Sequence, residues 1–227
     1  MNLNILYEDA NLLVVDKVAG IDIEGIQKLL PEGFSPAHRL DKDTSGALLI
    51  AKDPKTLEFL QNQFQERTIE KKYVCLVEGG VKEGGKIEAL LGRSRQDRRK
   101  QKVFLPGEPG AEGRSFGASL AHQKWAGKRE ASTEYRVLKR YQGYSFLEAS
   151  PKTGRKHQIR VHMSYLGHPI AGDKLYGFKD QRMPEGLKRQ FLHAASLIFT
   201  LPGGEQKTVE SPLPEDLKSV LANLKTL

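Results

Sequence analysis

One cysteine in 227 residues leaves no intrachain disulfide to form. Cys75 sits in an alternating run and reads as a buried neutral thiol, which suits a reducing, cytosolic compartment. Long apolar runs are missing too. Ala47 to Ala51 falls far short of the ~20 residues that a membrane span needs. The N-terminus has no basic n-region and carries Glu8, Asp9 and Asp16 early, so no secretory leader is expected. No glycine-rich phosphate loop is present: Gly79-Gly80 and Gly84-Gly85 lack a following helix and the Lys-Ser/Thr of a P-loop. No serine stands in a nucleophile elbow. There is no internal repeat and no low-complexity tract.

What the chain has in surplus is positive charge. Its formal net charge is +8 and its pI is near 9.4. Such a surplus favours an anionic partner. With no spanning segment, it points to nucleic acid before lipid, and no membrane association is expected. The length suits one large domain or two small ones, and 38% hydrophobic residues can fill a sizeable core.

Strand signals dominate the pattern. Ile5-Tyr7 and Leu12-Asp16 flank an Asp-Ala-Asn turn, and Ala47-Ala51 reads as a buried strand. Asp53 is a predicted N-cap, with Pro54 at the first position of a helix whose apolar face is Leu57, Leu60 and Phe64. Residues 69–78 alternate as a strand ended by Gly79-Gly80. Further strands are predicted at 133–138, 144–149, 191–199 and 206–209. Residues 156–166 suit a helix closed by Gly167, and 214–224 an amphipathic one. Between them, residues 92–129 combine six cations (Arg93 to Lys102) with a Gly/Pro-rich stretch, and read as a long loop or insertion. Strands occur in runs, not in regular β-α alternation. The expected class is therefore α+β, with a mixed, mostly antiparallel sheet and flanking helices.

Three segments could carry chemistry. In His38-Arg39-Leu40-Asp41-Lys42-Asp43-Thr44-Ser45-Gly46, a carboxylate is offered at a turn before a buried strand. As a calcium loop it fails, because the twelfth position is Lys52 where a bidentate Glu is needed. As a cap, Asp43, Thr44 and Ser45 would bond nearby amides. On local pattern Asp41 fits either that structural role or a chemical one. The second segment, Thr153 to His162, sets Arg155, Lys156, His157 and Arg160 close together. It is either a solvated basic helix end or a place where Arg pairs a carboxylate and its neighbours hold phosphates. Zinc is not expected, since His157 and His162 are five apart. Third, Lys71 and Tyr73 share one face of a strand, where Tyr73 is either a core aromatic or a platform for a base.

Together these segments resemble the pseudouridine synthases of the large-subunit RNA type, the RluA family. The likeness runs through Leu13-Val14-Val15-Asp16-Lys17, His38-Arg39-Leu40-Asp41-x-x-Thr44-Ser45-Gly46 and Lys71-x-Tyr73-x-x-x-Val77-x-Gly79. It continues in Gly154-Arg155-x-His157-Gln158-Ile159-Arg160-Val161-His162, Gly167-His168-Pro169-Ile170, Gly172-Asp173-x-x-Tyr176-Gly177 and Leu192-His193-Ala194. It implies a single α+β catalytic domain over 1–227, with the basic insertion at about 92–129 and a cleft across the middle of the sheet. It implies Asp41 as the catalytic aspartate, Arg160 as its partner and Tyr73 stacked on the target uracil. Arg39 would fill the gap left by the flipped nucleotide. His38, Thr44, Ser45, Gly46, Lys71, Arg155, His157, Gln158 and Leu192 would complete the substrate site. The implied reaction isomerises uridine in ribosomal or transfer RNA stem-loops, with no cofactor and no metal, in a cytoplasmic monomer. An ionised Asp in a water-poor pocket needs an Arg beside it, which is the physical reason for expecting Asp41 and Arg160 together.

Lys156 stands where the family commonly has Thr and Leu201-Pro202 where it often has His-Pro, with little effect expected, and two larger features also depart from the family pattern. Many relatives carry an N-terminal S4-type RNA-binding module; here the catalytic pattern starts almost at Met1, so none is expected. The insertion at 92–129 is longer than the usual connection, and its cations could grip RNA in place of that module. Two other readings are weighed against catalysis of this kind: a non-catalytic RNA-binding protein on the same fold, and a metal-dependent hydrolase using Asp41 and Asp43.

Overall fold

The computed structural model describes residues 3–105, 127–181 and 183–227. Within them one sheet of eleven strands runs through the molecule. Along the main path its order is β1 (Asn4–Glu8), β2 (Leu12–Lys17), β4 (Ser45–Ala51), β10 (Leu192–Thr200), β5 (Glu70–Glu78), β9 (Tyr144–Pro151), β8 (Arg129–Tyr141), β6 (Gly85–Arg93) and β7 (Gln101–Phe104). The short β3 (Ser35–Pro36) adds to β4, and β11 (Gln206–Glu210) adds to β10. Every named pair is antiparallel except β4 with β10. Helices α1 (Ile23–Gln27), α2 (Pro54–Glu66), α3 (Gln158–Tyr165) and α4 (Glu215–Asn223) flank the sheet. The class is α+β, as the clustering of strand signals predicts.

The parallel pair is what brings the turn before β4 to the middle of the sheet. All seven residues of β4 are buried, as a continuous apolar run demands. At its start, Gly46 pairs with Ala194 at a φ of +116°. A Cβ there would lie 2.2 Å from the Ala194 carbonyl oxygen. No side chain fits, and no L-residue adopts that φ readily. Gly46→Ala is expected to cost upwards of about 3 kcal/mol, from backbone strain plus overpacking, read as a lowered midpoint in urea unfolding.

Apolar packing continues on both sides of the sheet. Leu76, Leu147, Met163, Phe191 and Leu217 join β5, β9, α3 and α4. Leu12, Leu49, Leu60 and Phe199 join β2, β4, α2 and β10. Helix α2 begins as its sequence predicts: the Asp53 carboxylate accepts from the Thr56 N–H at 2.9 Å, and Pro54 follows. Leu60 is fully buried, with Leu57 and Phe64 partly so.

Two local readings differ from the structure. Residues 92–105 are not one loop: β6 runs to Arg93 and β7 covers Gln101–Phe104, with 94–100 as the short connection between them. Alternation of buried Ile87, Ala89 and Leu91 with exposed Lys86 and Glu88 makes β6 a strand, and β7 returns against it. Arg93, Arg95, Arg98, Arg99 and Lys102 are therefore carried on an ordered hairpin, closed where the Ser94 N–H donates to the Lys100 carbonyl at 3.0 Å. The rest of the predicted insertion, from Pro106 to Ala126, lies outside the described residues. Helix α3 starts at Gln158, not at residue 156. His157 precedes it in the left-handed region at φ 57°. Lys156 and His157 therefore lie outside the helix that carries Arg160.

Candidate active site

Asp41 stands in the turn before β4, where the Thr44 N–H donates to the Asp41 carbonyl at 3.0 Å. The side chains expected to cap this turn are used otherwise. Thr44 Oγ1 accepts from Gln190 Nε2 at 2.8 Å, and Ser45 Oγ meets His193 Nδ1 at 2.9 Å. Asp43 is exposed, and it is its carbonyl that is held, by Arg189. Distant buried groups do the clamping. Arg189 also reaches Ser45 Oγ at 3.1 Å and pairs with Asp216 on α4. Lys17, wholly buried at the end of β2, donates to the carbonyls of Val18, Ile21 and Lys42 at 2.8–3.0 Å. Burial pulls its pKa down to about 8, yet three carbonyl acceptors suit the ammonium form.

Arg160, on α3, is 7% exposed and bridges two carboxylates. Nη1 donates to Asp41 Oδ2 at 2.8 Å. Nε and Nη2 hold Asp173 bidentately, at 2.7 and 2.8 Å. Asp173 Oδ1 in turn accepts from the Leu175 and Tyr176 amides. The guanidinium also lies 5.2 Å from the centre of the Tyr176 ring. Burial disfavours its charge, but Asp173 first and Asp41 after it more than offset this and raise its pKa above the ordinary arginine value.

Around this pair lies a cleft of about 450 Å³. Tyr73 from β5 and Leu192 from the start of β10 form part of its wall. Tyr73 packs against two of the hydrophobic clusters at once. Burial, with the Asp41 charge adding to it, keeps its phenol protonated well above the usual range. Arg39, Arg67, Lys71, Arg129, Arg155 and Lys156 add six cations to its lining. Lys71 is brought down to about 8 by burial and then by Arg155, and its ammonium donates to the Thr153 carbonyl at 3.3 Å and lies 5.8 Å from the centre of the Phe64 ring. Arg155 spends Nε on the Glu130 carbonyl. A negative floor thus sits inside a positive mouth, the layout for a polyanion that inserts one uncharged group.

The structure gathers most of the residues singled out in the sequence. Asp41, Tyr73 and Arg160 line one cleft with His38, Arg39, Thr44, Lys71, Arg155, His157, Gln158 and Leu192. Ser45 and Gly46 are absent from its lining; both are buried and bonded or packed inward, so their part is to fix the turn. His38 contributes a wall and not a charge. Its Nε2 accepts the Leu49 N–H at 3.0 Å, its ring lies 4.9 Å from that of Phe64, and burial first, then Lys71, takes its pKa down to about 3. The Gln158 amide is fully used on Ser132, Thr133, Thr153 and the Arg155 N–H. Sequence reasoning gave no role to Asp173, Lys17, Arg189, Tyr176 or the rim cations Arg67 and Arg129. For Asp173 and Lys17 the signal was a charged residue inside a motif that is otherwise apolar or glycine-rich.

Among the described residues, no group of three His, Cys, Asp or Glu side chains is placed to hold a metal ion. Asp41 is committed to Arg160 and Asp43 faces solvent, so the paired carboxylates a metal-dependent hydrolase would need do not form. Among the same residues, no helix is long and apolar enough to cross a membrane.

The model of a family described as RNA pseudouridylate synthase matches residues 11–165. An uncharacterized RNA pseudouridine synthase of Bacillus subtilis, YlyB, is 35% identical over 99% of this chain and 74% of its own length. Ribosomal large subunit pseudouridine synthase C of Escherichia coli K12 is 37% identical over 97% of this chain and 70% of its own. The solved structure of human RNA Pseudouridylate Synthase Domain Containing 1 superposes with a TM-score of 0.80 at 32% identity, covering all of this chain and 89% of that one.

Proposed function

Because this chain belongs to the RNA pseudouridylate synthase family, we propose that it isomerises uridine to pseudouridine in folded ribosomal RNA, with Asp41 as the reacting carboxylate. The observation that carries the residue assignment is the Asp41–Arg160 pair on the floor of a cleft that also holds Tyr73. Catalysis, and not RNA binding alone, is the activity of the family.

The reaction breaks the bond from N1 to C1′ and makes one from C5 to C1′. The C5 proton leaves and N1 gains one, so atoms and electrons balance with no co-reactant. Asp41, held by the Arg160 Nη1 donor, faces the flipped nucleotide. Extruding that nucleotide costs roughly a few kcal/mol. Stacking on Tyr73 returns about 1–3 kcal/mol of it. Arg39, exposed at the rim, takes the vacated place in the RNA stack, while Leu192 closes the pocket wall. The ribosomal target follows the names of the relatives. The chain works as a single catalytic domain and as a monomer, and the buried thiol of Cys75 suits the reducing cytoplasm. Purified protein is expected to release tritium from ribosomal RNA labelled at uridine C5. Failure to do so on ribosomal, transfer and total RNA alike would end this reading.

The rim supplies the grip on phosphate. Lys71 loses its proton near pH 8 in the free protein, and a bound phosphate would raise that value. Affinity therefore falls as pH climbs from 7 to 9, where ordinary lysines keep their charge. Binding measured across that range should show the fall, and Lys71→Arg should flatten it.

The hairpin cations extend the same surface. Arg99 is already paired with Asp97, but Arg95, Arg98 and Lys102 are exposed. Neutralising Arg95, Arg98 and Lys102 together is expected to weaken RNA binding and reduce its logarithmic salt slope by about 0.7 per lost phosphate contact. An unchanged slope would remove the hairpin from the interface.

A further inference from the structure

Asp41 has two carboxylate oxygens, and Arg160 occupies only one of them. The other, Oδ1, faces the Nε2 of His157 at 3.9 Å. That is too long for a hydrogen bond. Both side chains are largely buried, at 12% and 16% exposure, so the gap is not simply open solvent.

The tautomer of His157 follows from what lies behind it. The Tyr176 hydroxyl is 2.9 Å from His157 Nδ1 and 2.7 Å from the backbone N of Gln101. A backbone N–H can only donate, so the tyrosine oxygen accepts from Gln101. Its own proton is thereby available to Nδ1, where the neutral ring can offer a lone pair. In that arrangement Nε2 carries the imidazole proton, on the side that faces Asp41. The ring stays neutral: burial takes its pKa to about 4, against the pull of Asp41, while Arg160 and Lys156 also disfavour its charge. A neutral donor can orient the carboxylate without competing with Arg160 to neutralise it.

The backbone supports a special role for this position. His157 is one of two non-glycine residues with positive φ among the described residues. Strain of this kind costs roughly 1–3 kcal/mol and collects at functional sites. Here it turns the imidazole out of the helix line and into the cleft.

We propose that His157 is a positioning residue for Asp41. In the substrate complex its Nε2–H closes on Oδ1 and fixes the carboxylate plane, with Tyr176 and the Gln101 amide holding the tautomer from behind. The inference rests on the assignment of Asp41 as the reacting group. Because Gln101 opens β7, the chain Gln101–Tyr176–His157 links the basic hairpin to the imidazole that faces Asp41.

Two substitutions separate this role from a purely structural one. A glutamine amide nitrogen reaches about as far as Nε2 of histidine; an asparagine nitrogen stops near Nδ1. Asparagine, however, enters the left-handed region more readily. If the side chain only serves the backbone, His157→Asn is the better enzyme. If it positions Asp41, His157→Gln is. In steady-state tritium release with the full chain, His157→Asn is expected to lower kcat about 10- to 100-fold, the loss of one hydrogen bond to a charged group, with KM little changed. His157→Gln should retain most of the wild-type kcat. Tyr176→Phe, which keeps His157 but frees its tautomer, should also lower kcat and spare KM. An asparagine variant as active as the glutamine one would overturn the inference. If neither His157 variant folds, an unchanged kcat in Tyr176→Phe overturns it instead. Asp41→Asn runs alongside: an active Asp41→Asn removes the assignment of Asp41 itself, and an inactive one leaves the His157 ranking as the test of this inference alone.

Discussion

Asp41→Asn is expected to abolish isomerisation, lowering tritium release by at least about 10⁴-fold, on the scale of removing a reacting nucleophile. RNA affinity should change little. The substitution keeps the side-chain volume and one oxygen that can accept from Arg160, so the turn has no reason to move. Thr44, Ser45, Arg189 and Lys17 hold that turn through contacts that Asp41 does not share. What disappears is the negative charge and the nucleophilic lone pair. The other cations that line the cleft, Arg39, Arg67, Lys71, Arg129, Arg155 and Lys156, stay in place. Tritium release and filter binding on the same preparation separate the two effects. Activity within about tenfold of wild type would remove Asp41 from the chemistry, since a step that loses its nucleophile does not survive so well.

The order of strengths in this site explains what the sequence could and could not reveal. Elements set by local rules were legible. A continuous apolar run made β4, alternation made β5, and Asp53-Pro54 fixed the start of α2. Strands β6 and β7 were hidden because glycine and arginine crowd the same stretch, and composition outweighed a modest alternation. The start of α3 was misplaced for a different reason. The Gln158 side chain takes the Arg155 N–H, so residues before it turn instead of winding into the helix. Nothing in the spacing of Lys156, His157 and Arg160 announces that.

The same division holds in the catalytic cleft. Asp41 and Arg160 are 119 residues apart, and their pairing was accessible from the motif resemblance but not from periodicity. The clamps on the turn were misassigned because short polar residues in a turn normally bond locally. Here Thr44 and Ser45 are buried, where their hydroxyls find partners from β10 and the segment before it. Burial, which one sequence does not display, decided the outcome. It likewise turned Lys17 from an ordinary strand-end lysine into a buried clamp on the loop that carries Asp41.

Asp173 gives the second large effect. Its carboxylate is fully buried and takes two of the Arg160 donors, while Asp41 takes one. The guanidinium is thus anchored from behind and offers its remaining edge to the reaction. Asp173→Asn keeps an oxygen for the Leu175 and Tyr176 amides but sets an amide NH₂ against Arg160 Nε. A buried cation then loses its full partner, which costs about 3–5 kcal/mol. In a domain of this size that lowers Tm by roughly 6–20 °C. Activity should fall as well, and in kcat more than in KM. Arg160 would be drawn toward Asp41, binding the ground-state carboxylate more tightly and making it a poorer nucleophile. A removal at Arg160 itself strands both carboxylates, so Arg160→Met should be the less stable of the two variants. If Asp173→Asn lost less than about 1 kcal/mol, Arg160 would have to be held by Asp41 and the Tyr176 ring alone, and the bidentate pair would count for no more than an exposed ion pair. Its burial argues against that. Closed to solvent and bound to two of the guanidinium donors, Asp173 is the carboxylate that sets Arg160 to reach Asp41 with a third.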